Sequence, residues 1–380
     1  MKTEVMIIKP EDLEGEKIRA AARLLDAGQI VAFPTETVYG LGCVAEPEAI
    51  ARLDEVKGRP ADKRYTLHIG SREDVHRYVP CIGPRARKLV GRAWPGPLTI
   101  VFSLSDADLK KQKGIVSPGA FGVLYGGGTI GIRCVDNELG RALLRRAMGP
   151  VVAPSANRSG EKPAVTASEV YEVFGGKIAA ILAAAGEPQA SGQSSTVVRV
   201  TDTSIEMLRE GLMSPATVTL MSQIKIMFVC TGNTCRSPMA AGFSRKLLSE
   251  KLKCGVDALE SMGYIVMSCG LAGCGSSASP EAIAVCRERS VHIGNHRSRS
   301  LDCDELRDCD FVFGMTQHHV DTVRRCCPEI ADKCAVLDAD RDISDPIGGD
   351  LEAYRRCAVQ IEKALGKRLG EIWDEDSSSK

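Results

Sequence analysis

IKIMFVCTGNTCRSP, residues 224–238, decides how the second half of this 380-residue chain folds. IKIMFV has the apolar, β-branched and aromatic content of a short buried strand. CTGNT then brings in turn formers, and the stretch from Ser237 to Lys251 reads as a helix with a proline close to its start. A strand that passes into a helix through so short a loop turns successive backbone N–H groups inward, and the helix N-terminus adds partial positive charge. The expected result is a phosphate cradle bracketed by Cys230 and Arg236 and spanned by Thr231, Gly232, Asn233, Thr234 and Cys235. Gly232 is expected to permit the tight turn and the Asn233 amide to lock the loop. The Arg236 fork suits a phosphate, and the field of the loop favours a nucleophilic thiolate at Cys230, to which the Ser237 hydroxyl can donate.

Outward from this loop, YIVMS near residue 264, a helix from Pro280, FVFGM near 311 and a long helix from Leu351 alternate as strands and crossover helices. That alternation predicts a doubly wound parallel sheet with its ligand site at the C-terminal strand ends. Displacement at phosphorus also needs a proton for the leaving group. SDPIGGD supplies Asp345 for it, just before the last helix.

CTGNTCRSP after a first strand and DPIGGD before a last helix resemble the low-molecular-weight protein phosphatases over about 224–372. The resemblance implies Cys230 as the nucleophile that forms a phosphocysteine, Arg236 as the phosphate ligand, Ser237 as support for the thiolate, and Asp345 as general acid and then base. It implies a phosphorylated protein substrate and no metal or cofactor. Family members with a cysteine at the position of Cys235 form a reversible disulfide with the nucleophile; the plainer reading of Cys235 is a small apolar filler. Tyrosine-directed members carry a branched aliphatic where Thr234 stands, whereas threonine there resembles the protein-arginine phosphatases. Phosphoarginine is therefore favoured over phosphotyrosine.

Upstream, a helical pattern over 14–27 is stopped by Gly28, and IVAF follows as a buried strand. TLHI, LTIVF, IGIR, VVAP and TVVRV continue as strands, separated by helices such as PEAIARLDEV and SEVYEVF. The expectation is a second α/β unit with a twisted sheet. The boundaries expected are 1–212 for this domain, 213–223 for a linker rich in Gly, Pro and Ser, and 224–380 for the phosphatase-like domain. A chain of this length is about right for two domains of roughly 150 to 200 residues.

Within 1–212 the succession PTETVYGLG, KGRP, TLHIG, WPGPLT, IGIR, PSANRSG and GQSSTVVRV resembles the YrdC-type L-threonylcarbamoyladenylate synthases. Such enzymes combine L-threonine, bicarbonate and ATP and release pyrophosphate, serving tRNA threonylcarbamoyladenosine modification. The resemblance implies Lys57, Arg59, Ser155 and Asn157 at the ATP site, and Thr35, His68, Arg133 and Ser195 near threonine, with Arg133 suited to a carboxylate. Mg²⁺ is expected with ATP, held by phosphates and waters, with no metal ligand from protein side chains. The tRNA-modification machinery is an expected partner, and RNA a further one. The alternative is a catalytically inactive double-stranded RNA-binding module fused to a tyrosine phosphatase, to which the basic run RARKLVGR, 85–92, lends itself.

The bulk composition bounds what remains. With 49 basic and 49 acidic residues the chain is formally neutral, so no overall field recruits nucleic acid or an anionic membrane. The start turns acidic where a signal peptide would be apolar, and no apolar run reaches about 18 residues, so a cytoplasmic protein with no membrane contact is expected. Fifteen cysteines lack zinc-ligand spacing and are expected to be mostly reduced and buried, with the Cys326-Cys327 doublet packing at a helix end.

Overall fold

The computed structural model describes residues 2–58, 64–186 and 190–374, with side chains as far as Ile372. Two compact units divide the chain, Met1–Ser222 and Gln223–Lys380.

In the first unit the helix Glu16–Asp26 forms because Ile18, Ala21, Ala22 and Leu25 fall on one face and are buried. Gly28, at φ +72°, ends it, as the sequence predicts. The strands are β1 (Glu4–Ile8), β2 (Val31–Phe33), β3 (Gly40–Val44), β4 (Thr66–Ile69), β5 (Leu98–Ser103), β6 (Thr129–Cys134), β7 (Val151–Val152), β8 (Ala180–Ala184), β9 (Thr196–Val200) and β10 (Ile205–Arg209). They form one sheet in the order β1-β8-β2-β3-β7-β4-β6-β5-β9-β10. It is mixed: β4 and β6 run parallel and β2 and β3 antiparallel. In the β4–β6 register His68 stands opposite Arg133, which sets two of the expected site residues side by side.

β3, GLGCV, was not among the expected strands. It is fully buried, and a Cβ on Gly42 would come within 2.8 Å of the Phe33 ring, so the glycine serves close approach to β2. The stretch expected to be a linker, 213–223, also differs. It contains the helix Pro215–Ser222, whose Val218 and Ser222 are buried within the first unit. There Arg85 donates to Ser222 Oγ at 3.1 Å. Arg85 is 3% exposed, and Arg87 donates to the Ile82 carbonyl at 3.1 Å, so the run 85–92 does not offer the continuous basic surface that an RNA site requires.

The second unit is a four-stranded sheet of β11 (Ile224–Cys230), β12 (Tyr264–Gly270), β13 (Phe311–Gly314) and β14 (Cys334–Val336), in the order β12-β11-β13-β14. All its pairings are parallel. Ile224, Ile226, Phe228 and Cys230 belong to one apolar core with residues of the helices Arg236–Leu252, Pro280–Glu288 and Leu351–Asp374. Met227 and Val229 enter a second core with Leu306, Val320 and Val323. Alternate residues of β11 thus feed opposite faces, the packing of a doubly wound sheet.

Nine of the thirteen free cysteines are buried, in line with expectation. Cys327 departs from it, being disulfide-bonded to Cys303 with their Cα atoms 5.8 Å apart. The doublet residue is thus a crosslink between the helices Cys303–Asp308 and Gln317–Cys326 rather than packing alone. Among the described residues no helix is long and apolar enough to cross a membrane.

Because Val218 is 1% exposed within the first unit, a charge placed there is buried without a partner. Val218→Asp should destabilise the first unit by about 3 kcal/mol or more, leaving the second unit's unfolding unchanged. Domain-resolved hydrogen exchange checks this; equal loss in both units, or in neither, contradicts the placement.

Candidate functional site

Cys230 ends β11 and Arg236 begins the next helix, so the loop between them is set at the C-terminal edge of the sheet. Cys230 is 3% exposed, and its sulfur lies 3.0 Å from Ser237 Oγ and receives the Asn233 N–H at 3.2 Å. Asn233, not Gly232, takes the left-handed turn, at φ +53°. Asparagine tolerates that region, and here its side chain is bound where a glycine would have none. Asn233 Nδ2 donates to Ser237 Oγ at 2.9 Å and Ser268 Oγ at 3.0 Å, while its Oδ1 accepts the Arg299 N–H at 3.0 Å. His296 Nε2 donates to the Asn233 carbonyl at 2.7 Å. β12 closes against the loop at Gly270, where a Cβ would lie 2.6 Å from the Thr231 carbonyl oxygen.

Arg236 is 5% exposed and its Nη2 pairs with Asp345 Oδ2 at 2.5 Å. The acid anticipated from SDPIGGD therefore reaches the mouth of the loop. Its other oxygen accepts the Ile347 N–H at 3.2 Å. Cys235 is a free thiol directed at Tyr354 Oη, 3.3 Å, and Ser279 Oγ, 3.5 Å, and belongs to the apolar core. His319 was not singled out from the sequence. It is buried, with Nε2 3.0 Å from Thr231 Oγ1, and burial, joined by Arg236 and His318, pushes its pKa down to about 4. The only local signal was its place in MTQHH after β13, a pattern shared by ordinary helix starts.

In the first unit, Thr35, His68, Arg133, Ser155 and Ser195 line one cavity of about 170 Å³. Arg133 Nη2 is bound by Glu36 Oε1 and Thr37 Oγ1, both at 2.8 Å, and its buried Nε has no acceptor among the described residues. Thr35 Oγ1 donates to the Val38 carbonyl at 2.6 Å. Ser195 Oγ lies 3.1 Å from Thr99 Oγ1. Arg209, from MLREG at the end of β10, lines the same cavity and donates to Ser195 Oγ at 3.0 Å. Sequence reasoning missed it, although an arginine at a strand end before a glycine was visible. Burial and Arg133 push the Arg209 pKa down, the mark of two guanidinium groups sharing one pocket.

Lys57 and Asn157 stand beside this cavity rather than lining it. The Lys57 ammonium, in the last turn of Pro47–Lys57, donates to the Ser155 carbonyl and, at 2.6 Å, to the Asn157 carbonyl. Ser155 Oγ donates to Asn157 Oδ1 at 2.6 Å, and Asn157 Nδ2 donates to the Glu161 carbonyl at 2.8 Å. Arg59 lies outside the described residues. Among the described residues no cluster of His, Cys, Asp and Glu is arranged to hold a metal ion.

Burial, aided by Arg133, pushes the His68 pKa down to about 3, so the folded state keeps the ring neutral. A histidine free in the unfolded chain titrates near 6.5. The contribution of His68 is therefore present above about pH 6.5 and is lost as pH falls from there toward 3. His68→Gln should make the first unit's stability less steep in pH across that window, measured by denaturant unfolding; an unchanged slope contradicts a neutral buried imidazole.

Residues 225–378 match the family model described as low molecular weight phosphotyrosine protein phosphatase, and residues 23–211 match the Sua5_yciO_yrdC model, described as telomere recombination. Threonylcarbamoyl-AMP synthase of Pyrococcus abyssi is 40% identical over 209 residues, 54% of this chain and 57% of the relative. The chain thus spans little more than half the length of that relative. Threonylcarbamoyl-AMP synthase of Shigella boydii serotype 4 is 32% identical over 178 residues, 46% of this chain and 88% of the relative. Among solved structures, a low molecular weight protein tyrosine phosphatase from T. tengcongensis is 31% identical, over 39% of this chain and 99% of its own, with a TM-score of 0.35. The YwlE arginine phosphatase from Geobacillus stearothermophilus is 32% identical, over 41% and 97%, also with a TM-score of 0.35. With the motifs of each family present in order, this chain is a fusion that belongs to the Sua5/YciO/YrdC family through its first unit and to the low molecular weight phosphotyrosine protein phosphatase family through its second.

Proposed function

We propose that the chain is a bifunctional enzyme. Its second unit hydrolyses phosphorylated protein side chains through a phosphocysteine, and its first forms L-threonylcarbamoyladenylate from L-threonine, bicarbonate and ATP for tRNA modification. The observation that carries the phosphatase reading is the Cys230 sulfur, held by the Asn233 N–H and the Ser237 hydroxyl one loop away from the Arg236–Asp345 pair. A substrate dianion enters the loop and takes over the Arg236 fork, which leaves the Asp345 carboxyl free to carry a proton. The Cys230 thiolate attacks phosphorus, the bond to the leaving oxygen or nitrogen breaks, and that atom takes the proton of Asp345. In the second step Asp345, now a carboxylate, takes a proton from the water that attacks the phosphocysteine, releasing phosphate and restoring the thiolate. General acid–base help of this kind is worth about 10²- to 10⁴-fold.

Phosphoarginine is the favoured substrate. Thr234 is half-buried in the loop and presents a hydroxyl, which suits a planar, hydrogen-bonding guanidinium better than an apolar tyrosine ring. The two phosphatase neighbours, one named for tyrosine and one for arginine, are 31% and 32% identical, so the preference rests on Thr234. Wild type should release phosphate faster from a phosphoarginine peptide than from its phosphotyrosine counterpart. Thr234→Ile should move the ratio of kcat/KM toward phosphotyrosine by about tenfold, a difference of about 1.4 kcal/mol. Cys230→Ser should release none. If both proteins prefer phosphotyrosine, the arginine assignment falls.

For the synthase, three guanidinium groups, those of Arg64, Arg133 and Arg209, and several hydroxyls around one small cavity favour a ligand rich in phosphate and carboxylate oxygens. Arg133, with its buried Nε still open, suits the threonine carboxylate, and Arg209 with Lys57 and Ser155 suits the nucleotide. The Glu36 carboxylate is already taken by Arg133 and the Asp136 N–H, so Mg²⁺ would travel on the phosphates and waters of ATP rather than on side chains. Pyrophosphate release should depend on both threonine and bicarbonate, and Arg209→Ala and Lys57→Ala should each lower it by about 10²-fold or more. Release that ignores threonine argues for a different adenylating reaction.

A further inference from the structure

Two hydroxyls and one imidazole make a directional chain at the rim of the phosphate loop. His319, at the third position of the helix Gln317–Cys326, is 2% exposed, with Nδ1 2.6 Å from Thr316 Oγ1 and Nε2 3.0 Å from Thr231 Oγ1. Thr316 Oγ1 also accepts the His319 backbone N–H at 3.4 Å as the helix cap, and its own proton is available to Nδ1. Burial and the neighbouring Arg236 keep the ring neutral, and in the tautomer whose Nδ1 accepts the Thr316 proton the single N–H is on Nε2. That N–H donates to Thr231 Oγ1, which fixes the acceptor side of the hydroxyl. Thr231 itself is exposed, adjoins Cys230, and among the described residues its hydroxyl has no partner other than His319. Its own proton is therefore directed away from His319.

We propose that Thr231, aimed by His319, is a substrate-binding hydroxyl that donates to a phosphoryl oxygen at the rim of the cradle. The proposal rests on the phosphatase reading of the second unit. His319 acts as a positioning residue: it touches no substrate and works by settling which way the Thr231 proton faces. Two loop threonines thereby acquire separate tasks, Thr234 facing the leaving group and Thr231 the phosphoryl group.

The test is calorimetric titration of the full chain with inorganic phosphate, which reads the phosphoryl contact without turnover. Thr231→Val should weaken phosphate binding by about tenfold, the loss of one hydrogen bond to a charged acceptor, and Thr231→Ser should bind as wild type does. His319→Leu should weaken binding to a similar degree, and His319→Gln, whose amide can donate to Thr231, should recover most of it. The double variant Thr231→Val/His319→Leu should bind no worse than the weaker single, because both remove one interaction. A merely structural role for His319 would instead give losses that multiply. Binding by Thr231→Val equal to wild type, or multiplying losses, overturns the proposal. Wild-type binding that is lost in Arg236→Met while Thr231→Val is unaffected removes Thr231 and keeps the phosphatase. No phosphate binding by wild type removes both.

Discussion

The side-chain amide of Asn233 ties the phosphate loop to the sheet behind it. A left-handed backbone at a non-glycine residue costs about 1 to 2 kcal/mol. Three buried side-chain hydrogen bonds, to Ser237, Ser268 and the Arg299 N–H, contribute on the order of 1 kcal/mol each and more than offset that cost. The same turn brings the Asn233 N–H onto the Cys230 sulfur, and the Ser237 hydroxyl that accepts from the amide lies 3.0 Å from the same sulfur. Fold stability and nucleophile geometry thus depend on one side chain. Removing it would leave buried donors unsatisfied and the sulfur without a fixed surrounding.

The first unit reaches a comparable end by another route. Its cavity gathers Arg133 and Arg209 close enough for Arg133, after burial, to push the Arg209 pKa down, and Arg133 is paired with the Glu36 carboxylate. Lys57 is buried, and its ammonium donates to the Asn157 carbonyl. Such an arrangement stores positive potential in a small volume, which an anionic ligand relieves on binding.

The phosphatase loop was legible in the sequence because its chemistry is local. Seven consecutive residues carry the nucleophile, the cradle and the arginine, and the strand and helix on either side have unmistakable patterns. The cavity of the first unit draws on residues from Thr35 to Arg209, so only the order of many short motifs could reveal it, and Arg209 escaped for lack of a distinctive neighbourhood. Other differences arise from contacts no local pattern encodes. Gly40–Val44 is a strand because Phe33 needs its glycines, and Pro215–Ser222 is ordered because the helix Pro84–Ala93 offers Arg85 to its Ser222. The exchange of roles between Gly232 and Asn233 has the same origin, since the partners that make asparagine the better turn residue come from β12 and the segment beyond it.

β11 has one further property, which bears on how this sequence can change over evolutionary time. Its even-numbered residues from Ile224 to Cys230 enter one core and Met227 and Val229 enter the other. Insertion or deletion of a single residue in the strand would invert that parity, carrying the cysteine to the opposite face and exchanging both sets of apolar contacts at once. Substitution is therefore open to β11 while change of length is closed, and loops elsewhere in the unit are left to absorb the variation in length that lineages accumulate.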